Sequence, residues 1–463
     1  MSRFFTAPSS AHLNRRGFLA ATGALTLATA LSACAGGDDT SGGTSAEPVG
    51  QADIDKAMKT PTELTFWTWV PNIDKEVALF EAKYPAVKVK VVNAGQGTPQ
   101  YTKLRTALKA GSGAPDMVQI EYQAIPTFTI TDSLLDLRPY GASALKDRFV
   151  DWTWSQVGGS KGEVWAIPQD TGPMGMLYRQ DIFDRHGIEV PGTWDEFAAA
   201  ARKLHKAAPD VYLTNLAANQ AAAWHGLLWQ ADAKPYVMSG RSDITVSVDD
   251  DVSRRLGAYW GTLAKEGVIG VEPDFTDSWY AGLNKGTYAT WLTAAWGPVF
   301  LSGSAKSTAG KWRAAPLPQW DAAKPSSGNW GGSTTAVIRT TRNPIAAAVF
   351  AQFLNTDPAS TKMFATEQFF FPATRALLAD ESFVGQESPF YGGQKVNRVF
   401  ADIGATVNTT FQWPPFLDQA ATDWTETVGK ALADKTDTVR ALGTWQSRLT
   451  TYARTQGFTV HTS

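Results

Sequence analysis

Two kinds of side chain stand out in this 463-residue chain: 18 tryptophans, and a few carboxylates placed where strand-like runs end. An indole offers a flat apolar face, and an ionised carboxylate accepts hydroxyl donors without donating any. Together they suit a ligand with apolar C–H faces and rings of hydroxyls, which is a sugar. Glu121 directly follows the run 116–120, with Tyr122 beside it, and Asp170 follows Ile167-Pro168-Gln169. Both acids fall at strand ends, where ligands of open α/β folds collect. Arg375, just after Pro372, is a candidate donor to a hydroxyl.

The indoles are sorted by position. Trp296 follows the strand-like run 288–292, Trp330 adjoins Gly331 and Gly332, and Trp67 and Trp69 share one strand face by period two. Trp224 and His225 open an alanine-rich helical stretch, Trp279 precedes Tyr280, and Trp413 lies between Gln412 and Pro414. These are the candidate ligand contacts, with core packing as the competing explanation for each. Trp165 and Trp194 lie inside a strand and a helix-capping turn, so core packing is expected there.

Catalytic signatures are missing. The chain has no Gly-x-Ser-x-Gly, no His-Glu-x-x-His, no phosphate-cradling Gly-x-x-x-x-Gly-Lys-Ser/Thr and no dinucleotide fingerprint. Cys34 is the only cysteine, which excludes an intramolecular disulfide and a cysteine metal cluster. No cofactor or metal is expected. A glycosidase needs only two carboxylates flanking a bond, so Glu121 and Asp170 keep a carbohydrate-active enzyme open as an alternative. A binder of a cationic solute such as a polyamine is another, since acids and aromatic rings also box a cation.

The first 33 residues read as a removable signal. Asn14-Arg15-Arg16-Gly17-Phe18-Leu19 resembles a twin-arginine export motif, an apolar run of about 14 residues follows, and Leu31-Ser32-Ala33-Cys34 resembles a bacterial lipobox. The run is shorter than the roughly 20 residues a membrane span requires. The resemblance implies cleavage before Cys34 and a lipid on its thiol. Removing residues 1–33 takes away Arg3, Arg15 and Arg16 and no acid, so the formal charge moves from −2 to −5. Such a chain is a poor match for nucleic acid. Residues 34–60, rich in Gly, Ser, Thr and Asp, are expected to form a lipidated tether.

The remaining ~400 residues exceed what one core usually supports and predict two lobes. Runs at 63–70, 87–92 and 116–120 read as strands, with helical patterns at 73–84 and 100–110 between them. Further strands are read at 165–170 and 174–178. Thr193 with Glu196 forms a capping box, Gly267 stops a helix from 250, and Asn343-Pro344 opens another. Alternating strands and helices predict an α/β fold with largely parallel sheet.

In order along the chain, Leu-Thr-Phe-Trp-Thr-Trp at 64, Gly-Ala-Pro-Asp-Met-Val at 113, Gly-Glu-Val-Trp-Ala-Ile-Pro at 162 and Met-Leu-Tyr-Arg at 176 are followed by Thr-Trp-Asp-Glu-Phe at 193. Lys-Gly-Thr-Tyr-Ala at 285, Asn-Trp-Gly-Gly-Ser at 329 and Asn-Pro-Ile-Ala-Ala-Ala at 343 complete the series. This order resembles the extracellular sugar-binding proteins of ABC importers, of maltose-binding-protein type. The resemblance implies a two-lobed periplasmic-binding-protein type II fold with a hinge, lobe 1 from 61–170 and 297–338, and lobe 2 from 171–296 and 339–463. It implies crossings near 168–175 and 329–338, and a sugar, most simply an oligosaccharide, held in the cleft by a monomer. It further implies a membrane permease as partner, a place on the outer face of the cell membrane and an actinobacterial source. Trp296 matches a sugar-stacking position in such relatives.

Overall fold

A computed structural model of the chain describes residues 47–462. The signal at 1–33, the lipobox with Cys34 and the start of the tether lie outside the described residues. Eleven strands are formed among them: β1 (Thr62–Trp67), β2 (Val87–Val92), β3 (Met117–Glu121), β4 (Ala166–Pro168), β5 (Met174–Arg179), β6 (Tyr236–Met238), β7 (Asp243–Val246), β8 (Thr290–Ala294), β9 (Trp312–Pro316), β10 (Ser333–Val337) and β11 (Thr459–His461).

The first sheet has the order β2-β1-β3-β10-β4. Strands β1, β2 and β3 are parallel, and β10 runs against both β3 and β4. Period two decides which side chain faces which layer. Leu64 and Phe66 of β1 join Phe80, Phe350 and Leu354 in a core under the helices Asp74–Lys83 and Pro344–Thr356, whereas Val118 and Ile120 of β3 join Leu104 and Trp152 on the opposite face. A second sheet, β8-β5-β9, is antiparallel throughout. It packs on one side against the helices Asp277–Lys285 and Val396–Gly404, around Trp279, Trp312 and Phe400. A small third sheet, β11-β7-β6, lies with the helices Asp251–Glu266 and Thr438–Thr455.

Local signals place the helix ends. Thr193 Oγ1 accepts from Glu196 N at 3.2 Å and Glu196 Oε2 accepts from Thr193 N at 3.0 Å, forming the capping box that opens Trp194–Ala207. Gly267, at φ +71°, closes Asp251–Glu266.

Three expectations are corrected. The sheets are not largely parallel, because β10 runs back against β3 and β4 and the second sheet is antiparallel throughout. Residues 51–59 of the tether form a helix, Gln51–Lys59, because Met58 is buried and Ile54 packs against the first lobe's core beneath Pro344–Thr356. The lobe boundaries also differ. β9 pairs with β5, so the chain up to residue 316 stays with the second sheet, and the helix Pro344–Thr356 covers the first sheet rather than the second lobe.

Three stretches run side by side between the sheets. Pro173 bridges to Asn329, Trp330 N donates to Gly172 O at 2.8 Å, and Thr171 N donates to Phe371 O at 2.8 Å. Residues 169–173 form the middle of this crossing, flanked by 327–332 and 371–374. A Cβ on Gly172 would collide with the Trp330 carbonyl, so the crossing closes only around glycine there.

Candidate binding site

β1, β3 and β4 end at the edge of the first sheet where β10 begins, and this topology collects one residue set at the crossing. Gln119 Oε1 accepts from Thr68 Oγ1 at 2.6 Å and from Trp69 N at 3.1 Å, while its Nε2 donates to Ser333 Oγ at 2.8 Å. Ser333 N donates to Asp170 Oδ1 at 2.9 Å, and its hydroxyl donates to the same oxygen. Tyr122 Oη donates to the Asp170 carbonyl at 3.0 Å. Gly332, at φ +82°, fits because a Cβ would stand 2.8 Å from that carbonyl oxygen. Burial pushes the Asp170 carboxyl up to about 7, opposed by the bonds from Ser333 and reinforced by the charge of Glu121. Glu121 is half-buried and is also raised by burial; its Oε2 accepts from Tyr101 Oη at 3.0 Å.

From the second sheet comes an aromatic wall. β5 starts opposite the end of β8, so Trp296, two residues past β8, is carried back to the crossing. Its ring meets Trp330 edge-on at 4.8 Å, and its Nε1 donates to the Trp330 carbonyl at 2.8 Å. Phe275 adds a ring 6.2 Å from Trp296 and 6.3 Å from Trp330. Carboxylates, amides and hydroxyls on one side and partly exposed rings on the other can fix hydroxyls and stack on C–H faces.

A cavity of about 520 Å³ adjoins this set at Tyr122 and extends between the lobes, lined by Gln156 and Trp165 of the first and by Met238, Arg241 and Trp413 of the second. Gln156 Nε2 donates to the Phe411 carbonyl at 2.8 Å, and Arg241 forms a two-pronged pair with Asp132.

The structure therefore brings together Glu121, Tyr122, Asp170, Trp296, Trp330, Gly331 and Gly332, with Trp69 tied in through Gln119. Trp67 is half-buried and packs on the core face of β1 opposite Phe66. It does not bring in Trp224, which is buried against Trp424, or His225. His225 is fully buried; Nδ1 lies 2.7 Å from the Ala221 carbonyl and Nε2 3.2 Å from Tyr236 Oη, and burial pushes it down to about 4. Their helix, Ala221–Gln230, is turned into the second lobe's core. Trp279 is buried beneath Phe275, Arg375 is exposed and pairs with Asp151 at 2.7 Å, and Trp413 lines the cavity that adjoins the set at Tyr122. Trp194 is core as expected, whereas half-buried Trp165 faces the cavity. Sequence reasoning missed Gln119, Ser333, Tyr101 and Phe275. Gln119 was within reach, since it lies two residues before Glu121 on the same strand face. Among the described residues no group of three or more His, Cys, Asp or Glu could hold a metal ion.

Residues 67–361 match the family model described as bacterial extracellular solute-binding protein. The ABC transporter associated binding protein from B. animalis subsp. lactis Bl-04, solved in complex with beta-1,6-galactobiose, is 32% identical with a TM-score of 0.73, covering 86% of this chain and 99% of that one. The galacto-N-biose-/lacto-N-biose I-binding protein of the ABC transporter from Bifidobacterium longum, in complex with lacto-N-biose, is 25% identical with a TM-score of 0.75, covering 86% and 98%. The arabinooligosaccharide-binding protein of Halalkalibacterium halodurans is 24% identical over 360 residues, 75% of this chain and 80% of its own. The architecture is the two-lobed type II periplasmic-binding-protein fold.

Proposed function

The chain belongs to the bacterial extracellular solute-binding protein family, and on that premise we propose that it captures an oligosaccharide between its lobes and delivers it to an ABC permease. Family and fold are those of binding proteins, not of enzymes. One observation carries the sugar reading: the Asp170–Ser333–Gln119 network and the Trp296–Trp330 pair meet at the crossing between the lobes. A carboxylate and an amide beside the half-buried indole of Trp296, itself packed on the buried Trp330, are the groups a polyhydroxylated ring requires. The ligands named for the relatives, a galactobiose, lacto-N-biose and arabinooligosaccharides, are of that chemistry. The crossing supplies a hinge, and closure about it would form the surface that a permease reads.

Thermal-shift screening of mono- and oligosaccharides tests the reading. A ligand at a hundred times its Kd that binds only the folded state adds roughly 2.7 kcal/mol. At least one oligosaccharide should raise the melting temperature; stabilisation by polyamines alone would move the assignment to a cationic solute.

The lipobox motif supports anchoring at Cys34, with the folded part held on the outer face of the membrane. Cys34→Ser is expected to release or mislocalise the protein while the soluble part binds sugar as before. Recovery of the wild type in the medium, unlipidated and with its N-terminus elsewhere, would overturn the anchor.

A further inference from the structure

The turn before the helix Asp277–Lys285 inverts the usual placement of polar and apolar groups. Asp274 is only 5% exposed, with its N donating to Asn219 Oδ1 at 3.3 Å, whereas the next residue, Phe275, is 38% exposed. Phe275 also has φ +58°. A bulky side chain in the left-handed region is an outlier, and such strain gathers at functional sites. Glycine would fit this backbone without strain, and a polar side chain would suit the solvent; phenylalanine suits neither.

What the phenyl ring does have is a position. Its centroid lies 5.5 Å from Trp279, 6.2 Å from Trp291 and Trp296, and 6.3 Å from Trp330. It stands at the solvent end of an aromatic cluster in which Trp296 is half-buried and Phe300, 5.6 Å from Trp296, is 54% exposed. A Cβ on Gly331 would lie 3.3 Å from Trp296 Nε1, which places this apolar rim beside the Gly331–Ser333 segment that holds Asp170.

We propose that Phe275 is a stacking residue that takes an apolar C–H face of one glycosyl unit of the ligand; the assignment rests on the sugar reading above. The indoles below fix the ring's tilt, and the buried Asp274 with Asn219 fixes the turn that holds it out. A rigid aromatic platform, fixed before the ligand arrives, loses little side-chain freedom on binding.

Calorimetry on the full chain, with the oligosaccharide found by thermal-shift screening, compares the wild type with Phe275→Gly, Phe275→Leu and Phe275→Tyr. Glycine relaxes the backbone but deletes the platform, leucine keeps the apolar cover over the indoles but has no flat face, and tyrosine keeps the face. Affinity should fall tenfold or more in the glycine and leucine variants and stay within about twofold in the tyrosine variant, with the glycine variant melting at least as high as the wild type. Wild-type affinity in the glycine and leucine variants would overturn the assignment while leaving the sugar reading intact. A wild type that binds no saccharide would remove both.

Discussion

Trp296→Ala is expected to weaken binding of the identified sugar about 60-fold. Stacking one sugar face on an indole removes on the order of 100 Å² of apolar area from water, which at about 25 cal/mol per Å² is ~2.5 kcal/mol. At about 1.4 kcal/mol per decade this gives the stated factor. Trp296 is half-buried, and its bond from Nε1 to the Trp330 carbonyl fixes the indole's orientation. Trp296→Phe keeps a flat face without that bond, so its loss should be smaller. Trp330 is a less clean probe, being 8% exposed: removing it cuts packing as well as any ligand contact. Trp194→Ala is the contrast, because Trp194 is buried against Phe197, Tyr259 and Trp260 and its Nε1 donates to Gln230 Oε1 at 3.1 Å. That variant should lose about 3–5 kcal/mol of stability and almost no affinity. Calorimetry showing Trp296→Ala binding as tightly as the wild type would take the indole pair out of the site.

The parts of the fold that were legible in the sequence are those set by local periodicity. β1 and β2 alternate, which is what put Trp67 and Trp69 on one strand face, and Thr193 with Glu196 announced a helix start that the structure forms. What periodicity lacks is the identity of a strand's partner. β9 pairs with β5 rather than with the first sheet across more than a hundred residues of chain, so the lobe boundaries were misread. The helix Gln51–Lys59 was missed for a related reason. At nine residues it is too short to persist alone, and it exists by packing Met58 and Ile54 under Pro344–Thr356.

The site divides along the same line. Asp170 and Glu121 were placed by the rule that ligands gather at strand ends, and topology then brought them together with Ser333. Trp224 and His225 were misplaced because Ala221–Gln230 is apolar nearly all round, which leaves no polar face to say which side meets solvent. Phe275 had no local signal at all, since its conformation runs against its own backbone preference.

Asp170 makes the stability of the folded chain depend on pH, and Asp170→Asn is expected to reveal it. The unfolded aspartate titrates near ~3.9, the folded one at about 7 because burial disfavours its charge. Between those values the native state keeps a proton that the unfolded chain has lost. Stability is therefore fully present below pH ~4 and is lost as pH rises to about 7, by up to about 1.4 kcal/mol per unit and on the order of 4 kcal/mol in all. Asp274, pushed up to about 6 by burial, acts in the same direction, whereas His225, pushed down to about 4, costs stability as pH falls from ~6.5. These groups overlap in any wild-type profile, so the informative quantity is the difference between Asp170→Asn and wild type. Asparagine can still accept from Ser333 N and never ionises. Denaturant unfolding from pH 4.5 to 7.5 should show the variant gaining on the wild type at each step, and the gain should level off above pH 7. A flat difference would mean that Asp170 is ionised in the fold across the whole range. If sugar hydroxyls donate to this carboxylate, as proposed, affinity runs the other way, because a charged acceptor makes the stronger hydrogen bond. The wild type should then bind more tightly above pH 7 while folding less stably, and Asp170→Asn should lose the Asp170 share of both dependences together.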